Sequence, residues 1–147
     1  MRHRLTRVLP YTAGQLFDLV GDVERYPQFV RWVTALRTWN RREEGEGVTL
    51  LDAEAQVKFS VIRERFSTRV RLDRAAMAID VDLLSGPFRK LENRWRFKPH
   101  AAGAELAFDI DFDFGSRFLE RLLAANFEKA AVKLVGCFER RAKELYG

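Results

Sequence analysis

Between Gly103 and Gly147 the apolar residues change their spacing once, and that change restricts the fold more than any other feature of the chain. From Ala104 to Phe114, Leu106, Phe108, Ile110, Phe112 and Phe114 alternate with a mainly acidic set, Glu105, Asp109, Asp111 and Asp113. That is the two-residue period of a strand with one buried face. After Gly115, the residues Leu119, Leu123, Phe127, Ala130, Leu134, Phe138 and Leu145 recur mostly at four-residue steps, which predicts one long amphipathic helix. A stripe of that length has to lie on a sheet. If the sheet bends around the helix without filling the space between, an apolar pocket results.

At 147 residues the chain is expected to form one domain, residues 1–147, with a single core. No apolar run approaches the ~18 residues that suggest a membrane span. The start MRHRLTRV lacks a signal peptide's apolar stretch, so a cytoplasmic location is expected. Lys and Arg number 26 against 21 Asp and Glu, a net charge of +5, compatible with an anionic membrane surface or RNA as partner. Cys137 is the single cysteine, which excludes an intrachain disulfide, and it reads as a packing residue. His3 and His100 have no second ligand at zinc-like spacing, and there is no Gly-rich phosphate loop and no serine in a nucleophile elbow. The expectation is therefore a protein with no catalytic residues, no metal and no catalytic cofactor.

The first strand is expected over Arg2 to Leu9, closed by Pro10. Thr12 is a candidate N-cap for a helix through Gln15, Leu16, Leu19 and Val20 that ends at Gly21. A second short helical segment starts near Asp22 and is interrupted by Pro27. Six strands at hairpin spacing follow, over Val33 to Arg42, Val48 to Phe59, Val61 to Leu72, Ala76 to Leu83, Phe88 to Lys98 and Ala104 to Phe114. Their turns carry Gly, Pro, Asp and Ser. Strands grouped together with helices at the ends predict an α+β domain.

The pairing of these strands explains much of the charge. Around the turn at Pro99 to Gly103, Trp95 and Phe97 share a face with Phe108 and Leu106, which sets Arg94 and Arg96 on the side of Asp109. Aligning Val70 with Ile79 in the earlier hairpin would place Arg69 beside Asp80. On the inward face, Leu51, Ala53, Ala55, Val57 and Phe59 of one strand adjoin Ile62, Phe66, Val70 and Leu72 of the next. The mid-strand alanines, opposite Ala130 and Ala131 of the helix, either leave a pocket or let the helix approach closely. Glu64 and Asn93 interrupt the inward rows, and each needs a partner, structural or ligand.

Three segments carry a family likeness: Gly21 to Trp32 with Asp22, Val23, Tyr26, Pro27 and Phe29; Leu83 to Phe97 with Gly86, Pro87, Phe88, Trp95 and Phe97; and the Phe-rich strand and helix at the end. Together they resemble the coenzyme Q-binding protein family, of the START-like and polyketide cyclase/dehydrase superfamily, whose bacterial branch includes ribosome association toxins. The resemblance implies a helix-grip fold, with a seven-stranded antiparallel sheet curved around a long C-terminal helix and two short helices after the first strand. It implies binding and delivery of ubiquinone or a related polyisoprenoid lipid in support of respiration, with transient contact at the inner face of the inner membrane. The alternative is a ribosome-binding regulator that blocks subunit association, using the arginine-bearing face of the sheet and the helix end near Arg140, Arg141 and Lys143. A cyclase-like enzyme resting on Glu64 or a tyrosine is a third reading.

On this view the expected cavity wall is Val57, Phe66, Trp95, Phe108, Ile110 and Phe112 from the sheet and Leu123, Phe127, Leu134 and Phe138 from the helix. Asn93 is the expected head-group contact. The turn at Tyr26, Pro27 and Phe29 and the loop Gly86, Pro87 and Phe88 are the expected entrance.

Overall fold

The computed structural model describes residues 1–59 and 61–147, without the side chain of Phe59, so the inward position expected for Phe59 lies outside the described residues. The elements run β1 (Arg2–Leu9), α1 (Ala13–Gly21), a 3-10 segment (Val23–Gln28), then β2 (Val33–Gly45), β3 (Val48–Phe59), β4 (Ile62–Asp73), β5 (Ala78–Ser85), β6 (Lys90–His100) and β7 (Gly103–Asp113), and finally α2 (Arg117–Ala124) and α3 (Phe127–Tyr146). The seven strands form one antiparallel sheet in the order β1-β7-β6-β5-β4-β3-β2. This is the expected α+β helix-grip architecture, a curved open sheet over a C-terminal helix.

Local chemistry accounts for the elements around the first crossover. Thr12 Oγ1 accepts from Gln15 N at 3.0 Å and Gln15 Oε1 accepts from Thr12 N at 2.9 Å, a reciprocal cap that starts α1 where Thr12 predicts. The helix then buries Leu16, Phe17, Leu19 and Val20. Pro27 stays inside the 3-10 segment, whose short turns tolerate it. In β2 the ladder slips between Trp39 and Arg42, and Asn40 takes a φ of 56° there. Such a bulge bends the sheet. It also turns Asn40 Nδ2 onto buried Asp52, at 3.1 Å, opposite Arg69 Nε at 3.1 Å. Burial pushes the Asp52 carboxyl up, but these hydrogen bonds and the Arg42 charge outweigh it and hold the group below the usual carboxylate range.

Three expectations need correction. The C-terminal helix is two helices, broken at Ala125 and Asn126, where Asn126 leaves the helical region with φ −111° and ψ 1°. Asn is a poor helix former, and α2 buries no residue that would hold a continuous rod against the sheet. Within α3 the buried row is Ala131, Val135, Phe138 and Ala142, while Leu145, at the far end of α3, is 50% exposed. Second, β4 and β5 pair two residues away from the expected register: Val70 faces Val81, Leu72 faces Ile79, and Asp80 stands opposite Arg71. The tight turn that precedes β5, with Met77 at φ 50°, sets that register and starts the strand at Ala78. Third, β6 begins at Lys90, because Phe88 has turned inward against Phe66 and Phe112. The β6–β7 register is the expected one, with Trp95 opposite Phe108 and Phe97 opposite Leu106.

Candidate functional site

The space between sheet and helices is filled at one end and open at the other. At the filled end, Phe138 of α3 meets Tyr26, Phe29 and Trp95 edge to face, with ring centroids 5.1, 5.2 and 5.0 Å away. Tyr26 donates its hydroxyl to the Val20 carbonyl. Burial, with the Asp22 charge beside it, pushes that phenol well above the usual tyrosine range. The Trp95 indole N–H donates to Asn93 Oδ1 at 2.6 Å, and Asn93 Nδ2 donates to the Asp109 carbonyl at 3.0 Å. Both polar ends of Asn93 are thus used within the sheet.

At the other end lies an apolar cavity of about 210 Å³ between β7 and the α2–α3 corner. Phe108, Ile110, Phe112 and Phe114 form its floor, Leu123 and Asn126 its rim, and Phe127, Ala130, Ala131 and Leu134 its roof, with Trp32 closing one side. Asn126 is itself exposed, so the cavity reaches the surface at the break between the two helices. A run of rings, Phe66 to Phe88 to Phe112 to Phe114, at 5.2, 4.7 and 4.4 Å, leads from the loop before β6 to this floor.

Of the residues expected on the wall, Phe108, Ile110, Phe112, Leu123, Phe127 and Leu134 are brought together there. Val57, Phe66, Asn93, Trp95 and Phe138 are not on it. Val57 lies with Glu64 in a surface depression on β3 and β4, Phe66 backs Phe88, and Trp95 and Phe138 belong to the filled end. Tyr26 and Phe29, expected at an entrance, pack on Phe138, with Arg141 stacked over Phe29 at 5.4 Å and bonded to Gln28 at 2.8 Å. Pro27 lines a separate groove of about 760 Å³ along α3, which carries Arg31, Lys133 and Arg140. Gly86 is fixed by contact: a Cβ there would sit 2.6 Å from the Phe66 Cβ. With Pro87 and Phe88 it forms a loop beside the start of α2, and Phe88 plugs the floor from beneath.

Sequence reasoning missed Trp32, Phe114 and Asn126 as wall residues. Phe114 continues the alternation of β7 and was legible; Trp32 comes from a loop far away in the sequence, and Asn126 matters only because the helix breaks there. Of the small residues, Ala130 and Ala131 border the cavity whereas Ala53 and Ala55 are buried in close packing. Among the described residues no group of His, Cys, Asp or Glu is arranged to hold a metal ion, and no helix is long and apolar enough to cross a membrane. Cys137 is buried in α3, its sulfur 3.5 Å from Arg140 Nη2.

The comparisons with known proteins agree with the fold. The family model for polyketide cyclase/dehydrase and lipid transport matches residues 9–139. The ribosome association toxin RatA of Pseudomonas aeruginosa is 39% identical over 95% of the chain and 94% of its own length. The mitochondrial coenzyme Q-binding protein COQ10 homolog B of Xenopus laevis is 29% identical over 97% of the chain and 58% of its own length. The solution structure of an 18 kDa protein from Caulobacter crescentus superposes with a TM-score of 0.84 at 55% identity, covering 100% of this chain and 99% of that one.

Proposed function

Because the chain belongs to the polyketide cyclase/dehydrase and lipid transport family, we propose that it is a non-catalytic carrier that takes the apolar part of a ubiquinone-like isoprenoid lipid into the cavity at the α2–α3 corner. In this role it works in the cytoplasm and at the inner face of the inner membrane, in support of respiration. The observation that carries the reading is the cavity of about 210 Å³, walled almost wholly by Phe, Leu, Ile and Ala and open to the surface at Asn126. An apolar cavity of about 150 Å³ holds one benzene ring, so this one matches a substituted ring or about one isoprene unit.

Magnitude then decides what else must happen. About five carbons at about 0.8 kcal/mol each supply about 4 kcal/mol, which even before binding costs is a dissociation constant of about 1 mM. Tighter binding needs a longer stretch of tail, and the element that gives way is α2, which buries no residue. Organic extraction and mass spectrometry of protein purified from its native host tests the reading, with Ala130→Leu as the variant that fills the cavity. A quinone or polyisoprenoid present in equal molar amount in the wild type and lost from the variant is the expected result. An empty wild type, purified without detergent, would overturn it.

A second reading is favoured by the name of the Pseudomonas relative together with the groove that holds Arg31, Lys133 and Arg140. In it, the α3 surface contacts ribosomal RNA. Pelleting with large ribosomal subunits should then fall steeply with salt, because neutralised phosphates release counterions, and Lys133→Glu with Arg140→Glu should abolish it while lipid content stays unchanged. Arg141 is left out of that pair because Gln28, Glu144 and Phe29 already hold it.

A further inference from the structure

The start of β4 and the turns at residues 85–90 and 113–117 all lie at one end of the sheet, since β4 leaves that end, β5 and β7 arrive at it and β6 leaves it again. This end carries exposed apolar side chains. Phe118 is 73% exposed, Leu122 46%, Leu84 43% and Val61 89%. Within α2 the apolar residues form two neighbouring strips. Leu119 and Leu123 are half-buried, with Leu123 on the cavity wall, while Phe118 and Leu122, one turn apart, point to solvent. Arg117 and Arg121 form a third strip beside the exposed one, and the acidic Glu120 is the only carboxylate in the helix.

We propose that this end of the molecule docks on an anionic bilayer, with α2 lying in the interface, Phe118 and Leu122 inserted among the acyl chains, and Arg117, Arg121 and Arg63 against lipid phosphates. A short helix with a wide apolar face edged by arginine is what binds at that depth, and anionic headgroups supply the complementary charge. Of the carboxylates at this end, Asp113 is held by Arg89 at 3.5 Å and Glu54 by Arg37 and Arg65 at 3.3 and 3.8 Å, while Glu120 and Glu64 lie beside the arginines in sequence without an ion pair among the described residues. Among the described residues Arg63, Arg117 and Arg121 form no ion pair, and they outnumber Glu64 and Glu120, so the edge of this surface stays net positive. The same helix covers the cavity with Leu123, so docking would place the mouth at Asn126 against the bilayer from which a lipid must come. The inference deepens the carrier reading and rests on it.

The test is co-sedimentation with vesicles of phosphatidylcholine alone and of an equal mixture with phosphatidylglycerol. The wild type should bind the mixed vesicles, and the amides of residues 117–124 should exchange hydrogen more slowly when bound, a readout that needs no variant. Phe118→Ser with Leu122→Ser should weaken binding at least about tenfold. Arg117→Glu with Arg121→Glu should weaken it at least about fivefold and remove the preference for the anionic vesicles. Val132→Ser, exposed but elsewhere, should change nothing. No binding by the wild type, binding that survives the serine pair, or a dimer that the serine pair splits would each overturn docking. Uptake of a short-tailed quinone is followed separately by tryptophan fluorescence: uptake without docking removes this inference alone, and docking without uptake removes the carrier reading and with it the delivery role assigned to α2.

Discussion

The two ends of the sheet–helix interface are built from the same kind of residue and come out differently. At the filled end Phe138, Trp95, Phe29 and Tyr26 touch ring to ring, and α1 seals them with Phe17, Leu16 and Val20. At the open end Phe108, Phe112, Phe114 and Phe127 are as aromatic, yet the roof includes two alanines, Ala130 and Ala131, and ends at a helix break where Asn126 is exposed. Aromatic content therefore does not decide between core and cavity. What decides is whether a third layer covers the sheet–helix seam, and α1 with the 3-10 segment reaches only one end of it.

Truncating one ring at each end gives the largest contrast. Phe138→Ala removes a ring that is 1% exposed and enclosed on several sides, and it should cost about 3–5 kcal/mol in urea unfolding. Phe127→Ala, half-buried beside existing empty space, should cost under about 2 kcal/mol while weakening lipid uptake. Equal losses would mean that the open end closes in solution. Enlarging a small residue reverses the direction. Ala142→Leu, at 0% exposure, should destabilise by about 1–3 kcal/mol through overpacking. Ala130→Leu should be neutral or stabilise by about 1 kcal/mol by filling the cavity and should reduce quinone uptake at least tenfold. If Ala130→Leu destabilised as much as Ala142→Leu, the cavity would not be empty space available to a ligand.

The same contrast explains what the amino-acid order revealed. Inward and outward faces are legible over most of the sheet, because the period of a strand is two and the acidic and basic rows mark the outside. The β6–β7 register followed as well, since the turn at Pro99–Gly103 leaves little freedom. The β4–β5 register did not: a slip of two residues keeps every side chain on its own face, so Val70 opposite Ile79 and Val70 opposite Val81 satisfy the pattern equally, and only the turn at Met77 separates them. The pattern alone leaves Asn93 as a polar group in need of a partner, because that partner, the Trp95 indole, is two residues along the same strand and faces it only once the strand is extended. Trp95 and Phe138 fit the pattern of a wall residue equally well for a related reason. A stripe on a helix shows which side is inward but not which of its turns another element will cover.

Tyr26 sharpens the account of the filled end through the smallest effect. Its hydroxyl serves the Val20 carbonyl at the end of α1, so Tyr26→Phe should cost about 1 kcal/mol near neutral pH. The raised phenol gives that difference a pH dependence of known sign. Above about pH 10 the unfolded chain releases the Tyr26 proton and the folded protein keeps it, so the unfolded state binds fewer protons and wild-type stability falls with rising pH, by up to about 1.4 kcal/mol per unit. The phenylalanine variant lacks this loss, whereas the other ionising groups are common to both chains and cancel in the comparison. Urea unfolding should therefore find the wild type more stable at about pH 7 and the two proteins level by about pH 11. A gap that stays constant across that range would show that the hydroxyl titrates as it does in water, and that the filled end admits solvent much as the open end does.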